Sequence, residues 1–263
     1  MCASERNTPP SMIGRVSLIF EAFEPDDDGL GVRELARRTG LAASTVSRIV
    51  RELVEYKFLE PAGQDVRIGL RFFELGERAA RPQQLRRLTL ASMSDLRSAT
   101  RQTVHLAVLD GTDVVYVTKL RSRTAPPLGS RVGGRLPAHA TAVGKALLAF
   151  AGNEAIDRVV AAGLRPLGPR TITDAGRLRE ELDTIRETGI AYEAEESGPG
   201  VACAAAPVAY RTGKPIAGLS ISTKLGEVDV STLGSAVRTA AITLGRQAAR
   251  MPSLPGSAWA ALG

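Results

Sequence analysis

Apolar positions recur at helical spacing in three successive runs near the start of the chain. Val16, Ile19, Phe20 and Phe23 follow the i, i+3, i+4, i+7 pattern of one buried helix face, and Pro25 ends the run. Val32, Leu35 and Ala36 give a second short helix its apolar side, and Gly40 stands where a helix C-terminus calls for positive φ. Leu41 re-enters the core. Val46, Ile49, Val50 and Leu53 then mark one face of a third helix, with Ser44, Ser47, Arg48 and Arg51 on the other. Downstream, Phe58–Pro61 and Val66–Leu70 read as short strands around Ala62-Gly63-Gln64-Asp65, a hairpin. Three helices followed by a hairpin form the winged helix–turn–helix pattern over residues 11–70. A helix with an apolar stripe behind and hydroxyls and guanidinium groups in front fits a DNA major groove. The plainer reading is an antiparallel helix pair with a solvated polar face. The candidate DNA contacts are Ser44, Thr45, Ser47, Arg48 and Arg51, with Arg67 and Arg71 placed to reach backbone phosphates.

The pattern changes after the hairpin. Residues 71–84 read as a linker helix interrupted at Pro82, and residues 85–250 as a second domain. Leu85–Arg101 is helical. Thr103–Leu109 and Val114–Leu120 are β-rich runs joined by Asp110-Gly111-Thr112-Asp113, the strongest hairpin signal in the chain. Arg121–Arg135 reads as a loop dense in Arg, Gly and Pro, and Pro137–Ala151 as a loop entering a helix. Glu154–Gly163, Asp174–Thr188 and Ser231–Ala249 are predicted helices; Ile190–Tyr192, Ala204–Tyr210 and Lys214–Thr223 are predicted strands. Strands interrupted by blocks of helix predict an α+β domain. Pro252–Gly263 reads as a loose tail.

Composition narrows the function classes. In 263 residues, 44% hydrophobic and 24% charged, no apolar run reaches the ~20 residues of a membrane span. The N-terminal MCASERNTPP lacks the apolar centre of a signal peptide and reads as a frayed tail, so a cytoplasmic protein is expected. The two cysteines, Cys2 and Cys203, predict no structural disulfide. The net charge of +6 is not concentrated where DNA would sit: residues 1–84 hold 12 basic and 13 acidic side chains, residues 85–263 hold 22 and 15. Placement of Arg48, Arg51 and the wing carries the DNA reading; overall charge does not.

Three ordered segments of the second half resemble the isocitrate-lyase-regulator (IclR) family of bacterial transcription factors. They are GGRLPAHATAVGKALLA (Gly133–Ala149), GIAYEAEESGPGVACAAAPV (Gly189–Val208) and GLSIST (Gly218–Thr223). With the N-terminal domain, the resemblance spans residues 11–249. It implies a GAF- or profilin-like effector domain with a curved antiparallel sheet and a small-molecule pocket on one sheet face. It further implies a homodimer or dimer of dimers on double-stranded operator DNA. Carried over, the effector-binding residues are Ala142, Val143, Glu193, Cys203, Ser220 and Ser222. Family members often carry Asp where Glu193 stands, and the segment between Gly76 and Leu88 is short against the family's usual linker.

The chemistry of these residues leaves several readings open. Ser220 and Ser222 share a strand face and can bind a carboxylate, or be satisfied core serines. Free N–H groups at the start of the Ala140–Ala151 helix suit an anion. His139 and Ala146 stand where a phosphate-binding loop needs Gly and Ser or Thr, so nucleotide hydrolysis is disfavoured. Cys203, flanked by alanines, reads as a buried structural thiol; the rival is an enzyme with Cys203 and His139 as a reactive pair. A metal held by His139, Cys203 and a carboxylate rests on scattered ligands only, and no cofactor is expected. Glu195 reads as part of a solvated acidic loop. Arg121, Arg123, Arg131 and Arg135 point to an anionic effector. The remaining rival, a DNA-coating architectural protein, accounts for none of the pocket residues.

Overall fold

The computed structural model describes residues 11–123, 128–209 and 213–250. Cys2, Tyr210 and the predicted C-terminal tail lie outside these residues. The chain divides into two compact units, Met1–Ala80 and Arg81–Gly263.

The first unit holds α1 (Met12–Glu21), α2 (Val32–Thr39), α3 (Ala43–Glu55), the hairpin β1 (Leu59–Ala62) and β2 (Asp65–Ile68), and α4 (Arg71–Gly76). Of the predicted apolar positions Ile19, Leu35, Val46, Ile49, Val50 and Leu53 are buried, together with Leu30 and Leu59, while Val16, Phe20, Phe23, Val32, Ala36 and Leu41 pack partly buried against them; each fully buried side chain contributes roughly 1.5–3 kcal/mol over exposure. Gly40 closes α2 at φ +70°, a conformation that costs a side-chain-bearing residue energy. Leu30 exchanges backbone hydrogen bonds with Val66 (2.8 and 3.1 Å), tying the hairpin to the segment before α2. Arg38 donates to Asp27 (2.6 Å), Glu34 (2.8 Å) and the Ala22 carbonyl (2.9 Å), so the acidic run after α1 braces α2. α4 rests on the surface of the unit through Phe72, whose ring centroid lies 4.7 Å from that of Phe20 and 5.5 Å from that of Phe58.

The predicted linker helix is therefore two pieces. Residues 77–79 separate α4 from α5 (Ala80–Thr100), and Pro82 lies inside the first turn of α5. A first-turn proline loses no helical hydrogen bond, so it does not break the helix there.

The second unit is built on a six-stranded antiparallel sheet of order β5-β4-β3-β8-β7-β6. Its strands are β3 (Thr103–Asp110), β4 (Asp113–Leu120), β5 (Arg135–Pro137), β6 (Ala191–Ala194), β7 (Val201–Ala209) and β8 (Pro215–Lys224). The helices α6 (Ala142–Leu148), α7 (Asn153–Ala161) and α8 (Ala175–Thr188) cover one face, where they pack with Ala107, Tyr116, Cys203 and Ala205. On the other face, α5 and α9 (Val230–Ala248) pack with Val104, Leu106, Ala204, Ala206 and Ile221. Burial on both faces explains the nearly unbroken small and apolar run of β7. β7 begins three residues before its predicted start, at Val201, which pairs with Lys224 of β8. β5, a three-residue edge piece, carries no sequence signal of its own. Gly218 lets α6 lie against β8: a Cβ there would meet Val143 Cγ2 at 2.5 Å.

Candidate functional site

The sheet face under α6 carries a row of polar side chains set by strand register. His105 on β3 lies opposite Ser220 on β8, Ser222 opposite Cys203 on β7, and Cys203 opposite Glu193 on β6. Directly paired residues share a face, so all five point the same way. An irregularity in the β3–β4 register at Leu106/Ala107 brings Tyr116 and Lys119 to that face as well, opposite Ala107 and His105.

Glu193, Cys203, Ser222, His105 and Lys119 form one hydrogen-bonded chain with Ser197 and Ser130. Ser197 donates its hydroxyl to Glu193 Oε1 (2.6 Å) and its N–H to Oε2 (3.0 Å). The Cys203 thiol donates to Glu193 Oε1 (3.0 Å) and lies 3.0 Å from Ser222 Oγ. Ser222 reaches His105 Nδ1 at 3.4 Å, and His105 Nε2 lies 2.9 Å from Ser130 Oγ. Lys119 Nζ donates to the Ser130 carbonyl (2.6 Å) and hydroxyl (3.1 Å). Above this chain lies a cavity of about 460 Å³, lined also by Leu128–Ser130, Thr141–Val143, Leu167 and Ser197–Pro199.

Burial sets the charge states. His105 is pushed down to about 3, by burial first and then by the Lys119 charge, so its ring is neutral. Burial also raises the Glu193 carboxyl, against the opposing pull of its thiol and hydroxyl donors and of Lys145. The Cys203 thiol is raised well above its ordinary value, again by burial and then by the Glu193 charge.

A second network fixes the cavity wall. Lys145 on α6 is fully buried, with Nζ 2.6 Å from Glu196 Oε1 and 3.1 Å from Glu181 Oε1. The Glu196 carbonyl accepts from Thr171 Oγ1 (2.6 Å) and Gly168 N–H (3.0 Å). Its carboxyl is pushed up to about 7 by burial, partly offset by Lys145. Glu195 sits at φ +60° and accepts from Gly200 N–H (3.0 Å). Residues 195–200 thus form a braced wall: Glu195, read as part of a solvated acidic loop, is half-buried with Arg170 Nε 3.6 Å away, while Glu196 beside it is buried against Lys145.

All six residues expected at the effector site, Ala142, Val143, Glu193, Cys203, Ser220 and Ser222, line this one cavity. His105, Tyr116, Ser130 and Ser197 line it too and were not singled out in the sequence. The one available signal was a polar His105 inside the apolar run of β3. The Cys203–His139 pairing is corrected. His139 Nε2 lies 3.1 Å from the Arg165 carbonyl and its ring does not line the cavity. The imidazole in the chain with Cys203 is His105, and it meets a thiol held protonated. The four loop arginines do not line the cavity either; Arg135 pairs with Asp110 and Asp113. Among the described residues, no group of three His, Cys, Asp or Glu side chains can hold a metal ion.

In the first unit, Ser44, Arg48 and Arg51 are exposed on α3, and Thr45 and Ser47 are half-buried beside them. Among the described residues, Arg48 and Arg51 make no ion pair, unlike Arg37 and Arg38 of α2. Arg67 is engaged by Glu60 across the hairpin at 2.7 Å, and Arg71 lies over the Phe58 ring at 5.2 Å. Both arginines expected to reach phosphates therefore have partners within the unit. No helix among the described residues is long and apolar enough to cross a membrane.

Residues 13–63 match the family description "IclR helix-turn-helix domain", and residues 78–247 match "Bacterial transcriptional regulator IclR C-terminal". The chain is 31% identical over 227 residues to the HTH-type transcriptional regulator KdgR of Dickeya chrysanthemi, covering 84% of this chain and 74% of that one. It is 30% identical over 226 residues to the HTH-type transcriptional regulator XynR of Escherichia coli K12, covering 85% and 90%. A solved IclR homolog from Microbacterium hydrocarbonoxydans, complexed with 4-hydroxybenzoate, superposes with TM-score 0.83 at 32% identity, covering 90% of this chain and 98% of that one.

Proposed function

The chain belongs to the IclR family of bacterial transcriptional regulators, and from that premise we propose that it is a ligand-responsive, sequence-specific regulator of a catabolic or metabolic operon. The effector is a small anionic or aromatic metabolite held in the 460 Å³ cavity. The observation that carries this reading is the convergence of His105, Glu193, Cys203, Ser220 and Ser222 on one cavity of metabolite size.

The polar chain gives the ligand a direction. Glu193 repels a carboxylate and accepts from a hydroxyl, whereas neutral His105, Ser130 and the nearby Lys119 charge favour negative oxygen at the opposite end. Tyr116, Leu136, Val143 and Leu167 supply apolar wall between them. A hydroxyaryl acid, the class of molecule bound by the Microbacterium protein, suits that arrangement. On the DNA side, Ser44, Thr45, Ser47, Arg48 and Arg51 read bases or phosphates, and Arg67 reaches the backbone by exchanging Glu60 for phosphate. The protein acts as a homodimer or dimer of dimers, pairing two α3 helices on an operator palindrome. The working division is residues 11–70 for DNA, 71–84 as linker and 85–250 for the effector.

The test is thermal unfolding against a panel of aromatic and carboxylic acids including 4-hydroxybenzoate. A ligand at a hundredfold its Kd adds ~2.7 kcal/mol, a rise of roughly 5–10 °C for a domain of this size. Ser222→Ala should lose that rise. A panel without effect, or an undiminished rise in Ser222→Ala, contradicts the assignment.

A further inference from the structure

On the sheet face away from the effector cavity, α5 and α9 leave an open groove of about 550 Å³ between them. Leu96 and Ala99 of α5 and Ala236 and Ala240 of α9 line it, and Asp95 is the single charged side chain there. Thr239 and Thr243 line it too, both exposed. Each turns its hydroxyl back onto its own helix, Thr239 to the Ser235 carbonyl and Thr243 to the Thr239 carbonyl, both at 3.0 Å. With the hydroxyl engaged on the helix, what each offers a neighbour is its methyl group. The groove is therefore mostly apolar and faces solvent, a surface that calls for an occupant.

The chain carries a segment that matches it. Residues 251–263, which directly follow the described end of α9, read MPSLPGSAWAALG. None of these thirteen side chains is charged, in a chain that is 24% charged, and Met251, Leu254, Trp259 and Leu262 are large and apolar. A stretch kept in water is ordinarily poor in such side chains and rich in charge. Pro252 disfavours continuation of the α9 helix, so the chain is free to turn back beside it. The reach is sufficient. Thr239 lies eleven residues before Arg250, about 17 Å along the helix. Trp259 lies nine residues after Arg250, an extended span of at most about 32 Å. We propose that residues 251–263 fold back into the groove between α5 and α9 of their own chain, with the Trp259 indole as the anchor. Indole brings the largest apolar area of any side chain, and the Trp259 N–H has Asp95 available as an acceptor. The docked segment clasps α5 to α9 on that face of the sheet.

Trp259 is the only tryptophan, so its fluorescence reads the docking in the full chain. Blue-shifted emission is expected, with acrylamide quenching several-fold weaker than in the urea-unfolded protein. Thr239→Lys and Thr243→Glu place charge and bulk at exposed groove positions. Each should shift the emission to the red and restore quenching, with the circular dichroism unchanged. A second measurement does not depend on those variants folding. In a Cys2→Ser chain, Thr239→Cys combined with Ala258→Cys should oxidise at low protein concentration to a crosslink within one chain, read by mass under non-reducing conditions. Red, freely quenched emission from the parent overturns the proposal. So does blue emission that neither groove variant alters, which places the indole elsewhere. Crosslinks only between chains overturn it too, because a second copy then fills the groove.

Discussion

Removing the Lys145 ammonium tests whether the cavity wall is held by a buried charge cluster. In Lys145→Met the volume is nearly kept, but Glu196, 7% exposed, loses its 2.6 Å partner while its second oxygen already has none among the described residues. Breaking a buried pair from one side costs about 3–5 kcal/mol, because the remaining charge stays uncompensated. The cost depends on pH. Glu196 has its folded pKa raised from 4.5 to about 7. The folded state therefore holds a proton that the unfolded state releases, and this contribution to stability is fully present below 4.5 and lost as pH rises to 7. A shift of that size is worth ~3 kcal/mol. Without Lys145 the carboxyl takes up its proton at still higher pH. The variant's penalty should therefore be largest near pH 8.5 and shrink towards pH 6. Urea unfolding followed by circular dichroism, at fixed protein concentration, reads the transition of the second unit at both pH values. Glu196→Gln in the same chain should recover much of the loss at pH 8.5. A penalty independent of pH, or a neutral Lys145→Met, refutes the argument.

Other expectations follow from the same contacts. Arg48→Ala should weaken operator binding by ~1–3 kcal/mol, concentrated at one base-pair position if it reads a base, as measured by polarisation with operator variants; unchanged affinity removes Arg48 from the interface. In a Cys2→Ser chain, Cys203 should resist a thiol reagent at pH 8 until the protein is unfolded, since burial and Glu193 keep it protonated. Rapid labelling of the folded protein would show that the thiol is neither sealed nor suppressed. Gly218→Ala should destabilise the second unit in thermal unfolding, because the new methyl would press on Val143 and Leu147; an unaltered midpoint would mean α6 can retreat without cost.

The first unit was legible because its elements are local. Helical spacing of Val46, Ile49, Val50 and Leu53 and the position of Gly40 each fix one short element, and all four of those apolar residues are buried in the structure. The six effector-site positions came from motif resemblance, and the structure gathers them around one cavity. What escaped the sequence depends on long-range register. His105 joins Ser130 across 25 positions and Ser222 across 117. Lys145 reaches Glu196 across 51 positions, so nothing near either residue announced a buried ion pair. The early start of β7 has the same origin, since Val201–Cys203 are fixed as strand by pairing with β6 and β8. The linker break differs in kind: Pro82 looked like an interruption, but at the head of α5 it is compatible with the helix.

The most direct test of the central claim couples the two units in one titration. A duplex selected by the protein from random sequence is followed by fluorescence polarisation, with and without the acid that most stabilises the protein. The account predicts that the acid changes operator affinity in the wild type. Glu193→Ala and Ser222→Ala should keep the unliganded affinity and lose the response. An acid that binds yet leaves operator affinity unchanged, or a full response in both variants, would contradict it.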